Sequence, residues 1–100
     1  MRKYLVILCD QNSQRYDDML YRLKSLGKVL HVQENVFLLA VVNESNPDAG
    51  STRAIRTFLS GPEYSYCFVV FIDDDFSSAW SLSEDASIAV TEFIKGQIGK

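Results

Sequence analysis

Carboxylates are the residues of this chain best suited to chemistry. Asp10 closes an apolar run from Tyr4 to Cys9, and Asp73-Asp74-Asp75 closes another from Tyr66 to Ile72. Clustered carboxylate oxygens suit a hard cation such as Mg²⁺ or Ca²⁺. A single acid at a strand end can also ligate a metal when its counterpart in a second copy joins it. The plainer readings are a solvated turn at Asp73 to Asp75, partly neutralised by Arg2 and Lys3, and a polar strand terminus at Asp10 where a helix begins. His31 is the single histidine, so imidazole chemistry at neutral pH would have to use it. Its strand position reads as exposed or at an interface. Cys9 and Cys67 both sit inside apolar runs and read as reduced, buried thiols rather than a disulfide framework or a redox pair. Tyr64, Tyr66, Phe76 and Trp80 bracket the Tyr66 to Ile72 run. Such rings can stack on bases, or more simply pack on a partner or on the last helix. A C-x-x-C pair and a glycine-rich phosphate loop are both absent from the sequence.

These groups belong to a chain of 100 residues, 47% apolar and 23% charged, which is one packed domain and excludes disorder. So small a domain buries a limited share of its surface, and the apolar content exceeds what one small core hides. A net charge of −3 argues against a protein that grips a nucleic-acid backbone over its whole surface. The charge is uneven, however. Met1 to Arg56 holds eight Lys or Arg against six Asp or Glu, whereas Thr57 to Lys100 holds two against seven. Arg15, Arg22, Arg53 and Arg56 of the basic half are the candidates to meet phosphates. The opening Met-Arg-Lys and its apolar run superficially resemble a signal peptide, but the run is short and stops at Asp10-Gln11-Asn12. No stretch approaches the ~20 apolar residues of a membrane span. The expectation is a soluble cytoplasmic protein with no membrane partner.

Local patterns then assign the elements. Lys3 to Asp10 is a short run rich in β-formers, a strand apolar on both faces. Ser13 can cap a helix with Tyr16, Met19, Leu20, Leu23 and Leu26 at helical spacing, and Gly27 follows its end. Lys28 to Gln33 is a less apolar strand, turned by Glu34-Asn35 into the apolar strand Val36 to Val42. Asn46-Pro47, or Ser51 slightly later, opens a second helix carrying Ile55, Phe58 and Leu59, which Gly61-Pro62 ends. Tyr66 to Ile72 is a fourth strand. Ser81 and Glu84 have capping-box spacing before a last helix, about Leu82 to Lys95, with Ala86, Ala89, Val90, Phe93 and Ile94 on its apolar face.

The order is β-α-β-β-α-β with an extra C-terminal helix, which is an α+β, ferredoxin-like arrangement. Right-handed crossovers give an antiparallel sheet in the order 4-1-3-2 with both long helices on one face. Residues 1–80 form this core, and residues 81–100 supply a helix that packs on the sheet or on a partner subunit. The topology sends Asp10 and Asp73 to Asp75 to opposite ends of the sheet, roughly 20 Å apart at ~3.3 Å per residue, so they cannot share one metal in one subunit. Cys9 and Cys67 fall close together. The fourth strand is an edge with no polar face, and the helix-free side of the sheet needs a cover, for which a symmetric homodimer is the commonest closed solution. An RNA-recognition motif would need aromatics on the third strand, where only Phe37 is present.

Several of these residues carry a resemblance. The chain resembles the superfamily of small ferredoxin-like proteins that includes the second CRISPR-associated adaptation protein, the virulence-associated protein D ribonucleases and the SinR-like proteins. The matching features are Tyr4-Leu5-Val6-Ile7 with Asp10, Tyr16 and Leu20, the passage Leu26-Gly27 to His31, Gln33 to Phe37, and Ile55-Arg56. Phe68 to Ile72 with Trp80 after it looks most like the SinR-like branch, and the likeness spans about Lys3 to Trp80. It implies that Asp10 sits at a dimer interface and can hold Mg²⁺ for phosphodiester cleavage, although some members are structural. The arginine-rich first helix of many such nucleases is thin here, with Arg15 and Arg22 alone. The expectation is a homodimeric, nucleic-acid-associated protein, a metal-dependent nuclease of RNA or DNA with Asp10 as catalytic metal ligand and Arg15, Arg22, Arg53 or Arg56 positioning phosphates. The alternative is a non-catalytic interaction or regulatory module. A small-ligand sensor would need a polar pocket between subunits.

Overall fold

The computed structural model of the chain describes residues 2–72 and 84–94. Asp73 to Asp75, Phe76, Trp80 and Ser81 lie outside the described residues. The elements are β1 (Lys3–Leu8), α1 (Ser13–Leu26), β2 (Gly27–Gln33), β3 (Val36–Val41), α2 (Thr52–Ser60), β4 (Cys67–Ile72) and α3 (Glu84–Ile94). One four-stranded sheet runs β2-β3-β1-β4 with every pairing antiparallel. Read from the other edge, this is the order 4-1-3-2. The protein is therefore α+β, with β1 and β3 at the centre and β2 and the wholly apolar β4 at the edges.

The local causes differ in detail from the sequence expectation. Asn12, not Ser13, caps α1: its side chain accepts from the Arg15 N–H at 3.1 Å. Asp10 prepares that cap, since its Oδ1 accepts from the Asn12 N–H at 2.9 Å. Both proposed starts near α2 are used. Asn46 caps a short 3₁₀ turn over Pro47–Ala49, and Ser51 then caps α2 by accepting from the Ala54 N–H at 3.0 Å. Gly27 needs no left-handed conformation, since its φ of 164° is extended and β2 begins there without a loop. It is glycine because a Cβ would stand 2.1 Å from the Ala40 carbonyl oxygen.

Alternation along β1 builds a core on each face of the sheet. Tyr4, Val6 and Leu8 are buried beside Met19, Leu23 and Leu26 of α1, Phe37, Leu39 and Val41 of β3, and Ile55 and Leu59 of α2. Fully burying each such side chain is worth roughly 1.5–3 kcal/mol before entropy is counted. On the opposite face, Leu38 and Ala40 pack with Val90 and Phe93 of α3, flanked by Leu5, Leu30, Val32, Ile72 and Ile94. Helix α3 thus covers the sheet's second side from within the same chain. Its first turn carries Glu84 and Asp85, favourable at a helix N-terminus, and Lys3 Nζ donates to the Ile94 carbonyl at 2.9 Å at the other end.

Lys3 Nζ reaches α3, and Arg2 donates to the Gly50 and Ala49 carbonyls at 3.0 and 3.1 Å, while the expected neutralisation of Asp73 to Asp75 by these two residues lies outside the described residues. Two expectations, both about the cysteines, change here. Cys9 is exposed rather than buried, because β1 ends one residue before it, and Cys67 is half-buried on an edge strand. Among the described residues no helix is long and apolar enough to cross a membrane.

Candidate functional site

The residues able to do chemistry gather where β1 ends and β4 begins. The β1–β4 ladder pairs Leu8 with Cys67, and the Cys9 N–H extends it by donating to the Tyr66 carbonyl at 2.9 Å. One further step along that register sets Asp10 opposite Ser65. The β2–β3 turn closes the same end from the other side: the Leu8 N–H donates to the Asn35 carbonyl, and Asn35 Nδ2 donates to the Leu8 carbonyl, each at 3.0 Å.

Asp10 is 8% exposed. Its Oδ1 serves the start of α1, while its Oδ2 is buried without a hydrogen bond, 3.7 Å from Arg15 Nη1. Arg15 in turn places Nε 3.6 Å from Glu63 Oε2, so one guanidinium stands between two carboxylates. A hard cation takes six or more oxygens, and Asp10 offers one free oxygen beside a positive charge. Among the described residues no three His, Cys, Asp or Glu come together as ligands. The orphaned Oδ2 would fill one position in the shell of a Mg²⁺ ion, with water in the others.

The other arginines separate by role. Arg22 Nη1 donates to the Leu59 carbonyl at 3.0 Å and its guanidinium lies flat over Gly61, leaving no room there for a Cβ. Arg22 is thus a brace between α1 and the end of α2. Arg53 and Arg56 are exposed on α2, and neither guanidinium has a hydrogen bond or ion pair among the described residues. The four arginines do not line one groove.

Arg56 instead borders an open depression of about 240 Å³, whose walls include Ser60, Tyr64, Ser65, Tyr66 and both cysteines. Ser65 is 3% exposed and its Oγ has no hydrogen-bond partner. Among the described residues Ser60 Oγ meets the Cys67 thiol, at 3.8 Å. Burial pushes the Cys67 thiol above the usual thiol range, with a smaller push from Cys9, against the opposing Ser60 hydrogen bond and the charge of Arg56. Tyr64 holds a left-handed backbone, φ 53°, after the 3₁₀ turn Gly61–Glu63. Sequence reasoning singled out Tyr64, Tyr66 and Arg56 but missed Ser60 and Ser65, whose only signal is their position flanking the Gly61-Pro62 break.

His31 lies at the same end of the sheet, exposed, stacked on Phe37 with centroids 4.5 Å apart, and hydrogen-bonded to the Glu34 carbonyl. Tyr16 donates to that carbonyl at 3.3 Å. Together they brace Glu34, another non-glycine residue with positive φ (46°). In comparisons with known proteins, no family model, curated protein or solved structure matches this chain.

Proposed function

We propose that the chain is a homodimeric, ferredoxin-like, nucleic-acid-associated protein of the type it resembles, the CRISPR-adaptation, virulence-associated D and SinR-like superfamily, and that it cleaves phosphodiesters with Mg²⁺ held at Asp10. The observation that carries this reading is the orphaned Asp10 Oδ2 at the end of β1. A bound Mg²⁺ would polarise a phosphate and lower the pKa of water. Arg15 is within reach of the same oxygen and turns to the phosphate when a cation takes its place. Arg53 and Arg56 offer further positive charge on α2. Dimerisation is supported by β4, an edge strand with no charged residue from Cys67 to Ile72, on which Phe68 is 58% exposed.

The test is incubation of the protein with RNA and with DNA, with and without Mg²⁺, beside Asp10→Asn. Mg²⁺-dependent cleavage that falls at least tenfold in the variant is the expected result. Equal activity in both proteins removes Asp10 from the mechanism. The second reading, a non-catalytic interaction or regulatory module, is favoured by one observation: the Arg15 guanidinium already neutralises Asp10 where a cation would sit. A dimer without cleavage under any metal condition would establish that reading instead.

A further inference from the structure

The depression between α2 and the start of β4 lies beside Asp10, shares only the charge of Arg56 with the cleavage chemistry proposed there, and carries the features of a binding site of its own. Among the described residues its only charged lining residue is Arg56. No carboxylate lines it, because Asp10 and Glu63 are both turned to Arg15. The Cys67 thiol beside it stays protonated at neutral pH. Ser65 Oγ is a buried hydroxyl lacking the partner such groups nearly always have. Ser60 adds a second hydroxyl, held among the described residues by a weak sulfur contact. At the rim, Tyr64 and Tyr66 are 81% and 69% exposed, far more than rings used for packing.

We propose that this depression binds a terminal phosphate attached to a nucleobase. The Arg56 fork and the hydroxyls of Ser60 and Ser65 meet the phosphate oxygens, and Tyr66 or Tyr64 stacks on the base. A lone arginine with two hydroxyl donors matches the oxygens of one phosphate. Two sources share this chemistry, a free mononucleotide and the phosphorylated end of a single strand. The inference deepens the nucleic-acid reading and rests on it for the class of ligand; it does not need cleavage.

Exposed Cys9 lines the depression and reports on it. The full chain is alkylated in EDTA, so that no metal-dependent cleavage intrudes, with adenosine, 5′-AMP, 3′-AMP or a short oligonucleotide with or without a terminal phosphate. The phosphorylated molecules should slow Cys9 alkylation saturably, at least fivefold, whereas adenosine and the unphosphorylated strand should not. Arg56→Ala should weaken binding tenfold or more, Tyr66→Ala by about tenfold, and Lys24→Ala, which removes a surface charge on α1, not at all. Tighter binding of AMP than of the strand end assigns the site to a free nucleotide, and the reverse to a strand terminus; either supports the shared chemistry. Absence of saturable protection, equal protection by adenosine, or wild-type binding by Arg56→Ala would overturn it. Loss of nuclease activity in the Mg²⁺ assay would leave this result untouched.

Discussion

Asp10 performs two tasks with its two oxygens, and substitutions separate them. Oδ1 holds the Asn12 N–H at the start of α1, so Asp10→Ala should destabilise the fold by about 1–2 kcal/mol in urea unfolding. Asp10→Asn keeps an oxygen acceptor for the Asn12 N–H and removes the buried charge facing the half-exposed Arg15, so it should destabilise less than Asp10→Ala. The cysteines give a second contrast. Cys67 is raised by burial, so at mildly alkaline pH Cys9 should be alkylated first, with Cys67 following only as pH climbs past the ordinary thiol range. The sign for stability follows: the folded state holds the Cys67 proton more tightly than the unfolded chain. Its contribution is therefore complete below the unfolded thiol pKa and is lost as pH rises through the folded value, which a urea titration in the alkaline range measures. Asp10 was legible in the sequence because it closes an apolar run. The pairing of Asp10 with Arg15, itself a sequence candidate, and the unpartnered Ser65 Oγ were not, since they depend on side-chain placement across α1, β4 and the turn at Glu63.

At the scale of elements, periodicity carried the reading well. Strand-like runs and helical stripes appear where they were expected, because two-faced apolar segments and stripes at helical spacing have few alternatives in a small domain. The errors lie at the ends. The first strand stops at Leu8, and that early stop exposes Cys9. Gly27 was legible as a necessary glycine, but for the wrong reason. Its role is close approach to the Ala40 carbonyl, so Gly27→Ala should force β2 from β3 and cost about 1–3 kcal/mol, read as a lower midpoint of thermal unfolding. Among the described residues helix α3 covers its face of the sheet through Val90 and Phe93. Phe93→Ala should cost about 3–5 kcal/mol and increase binding of a hydrophobic dye, as Leu38 and Ala40 lose their cover.

For the whole molecule, the surplus of apolar residues is divided between two cores and one remaining edge. Phe68 and Phe71 stay exposed on β4 at 58% and 42%, on opposite faces of a strand that has a free side. Edges of this kind, without charge or proline, pair readily with another strand. Light scattering at micromolar concentration should therefore give twice 11.3 kDa, and Phe68→Lys should shift the equilibrium to monomer without unfolding it. A wild-type monomer would count against the homodimer. The uneven charge was legible from the sequence, but its use was not: Arg2, Lys3 and Arg22 hold carbonyl groups, while Arg53 and Arg56 have no hydrogen bond or ion pair among the described residues.

The contact from Lys3 to Ile94 joins residues 91 positions apart and bears on the order of assembly. The first strand made becomes a central one, and it pairs with β4 only after some sixty further residues have been synthesised, at about 5–20 residues per second. Helix α3 comes later still, so during those seconds the Leu5, Leu38 and Ala40 surface is open to any chaperone or neighbouring nascent chain. Such late, long-range closure predicts slow folding for a domain of this size, with Phe93 docking after the sheet has formed.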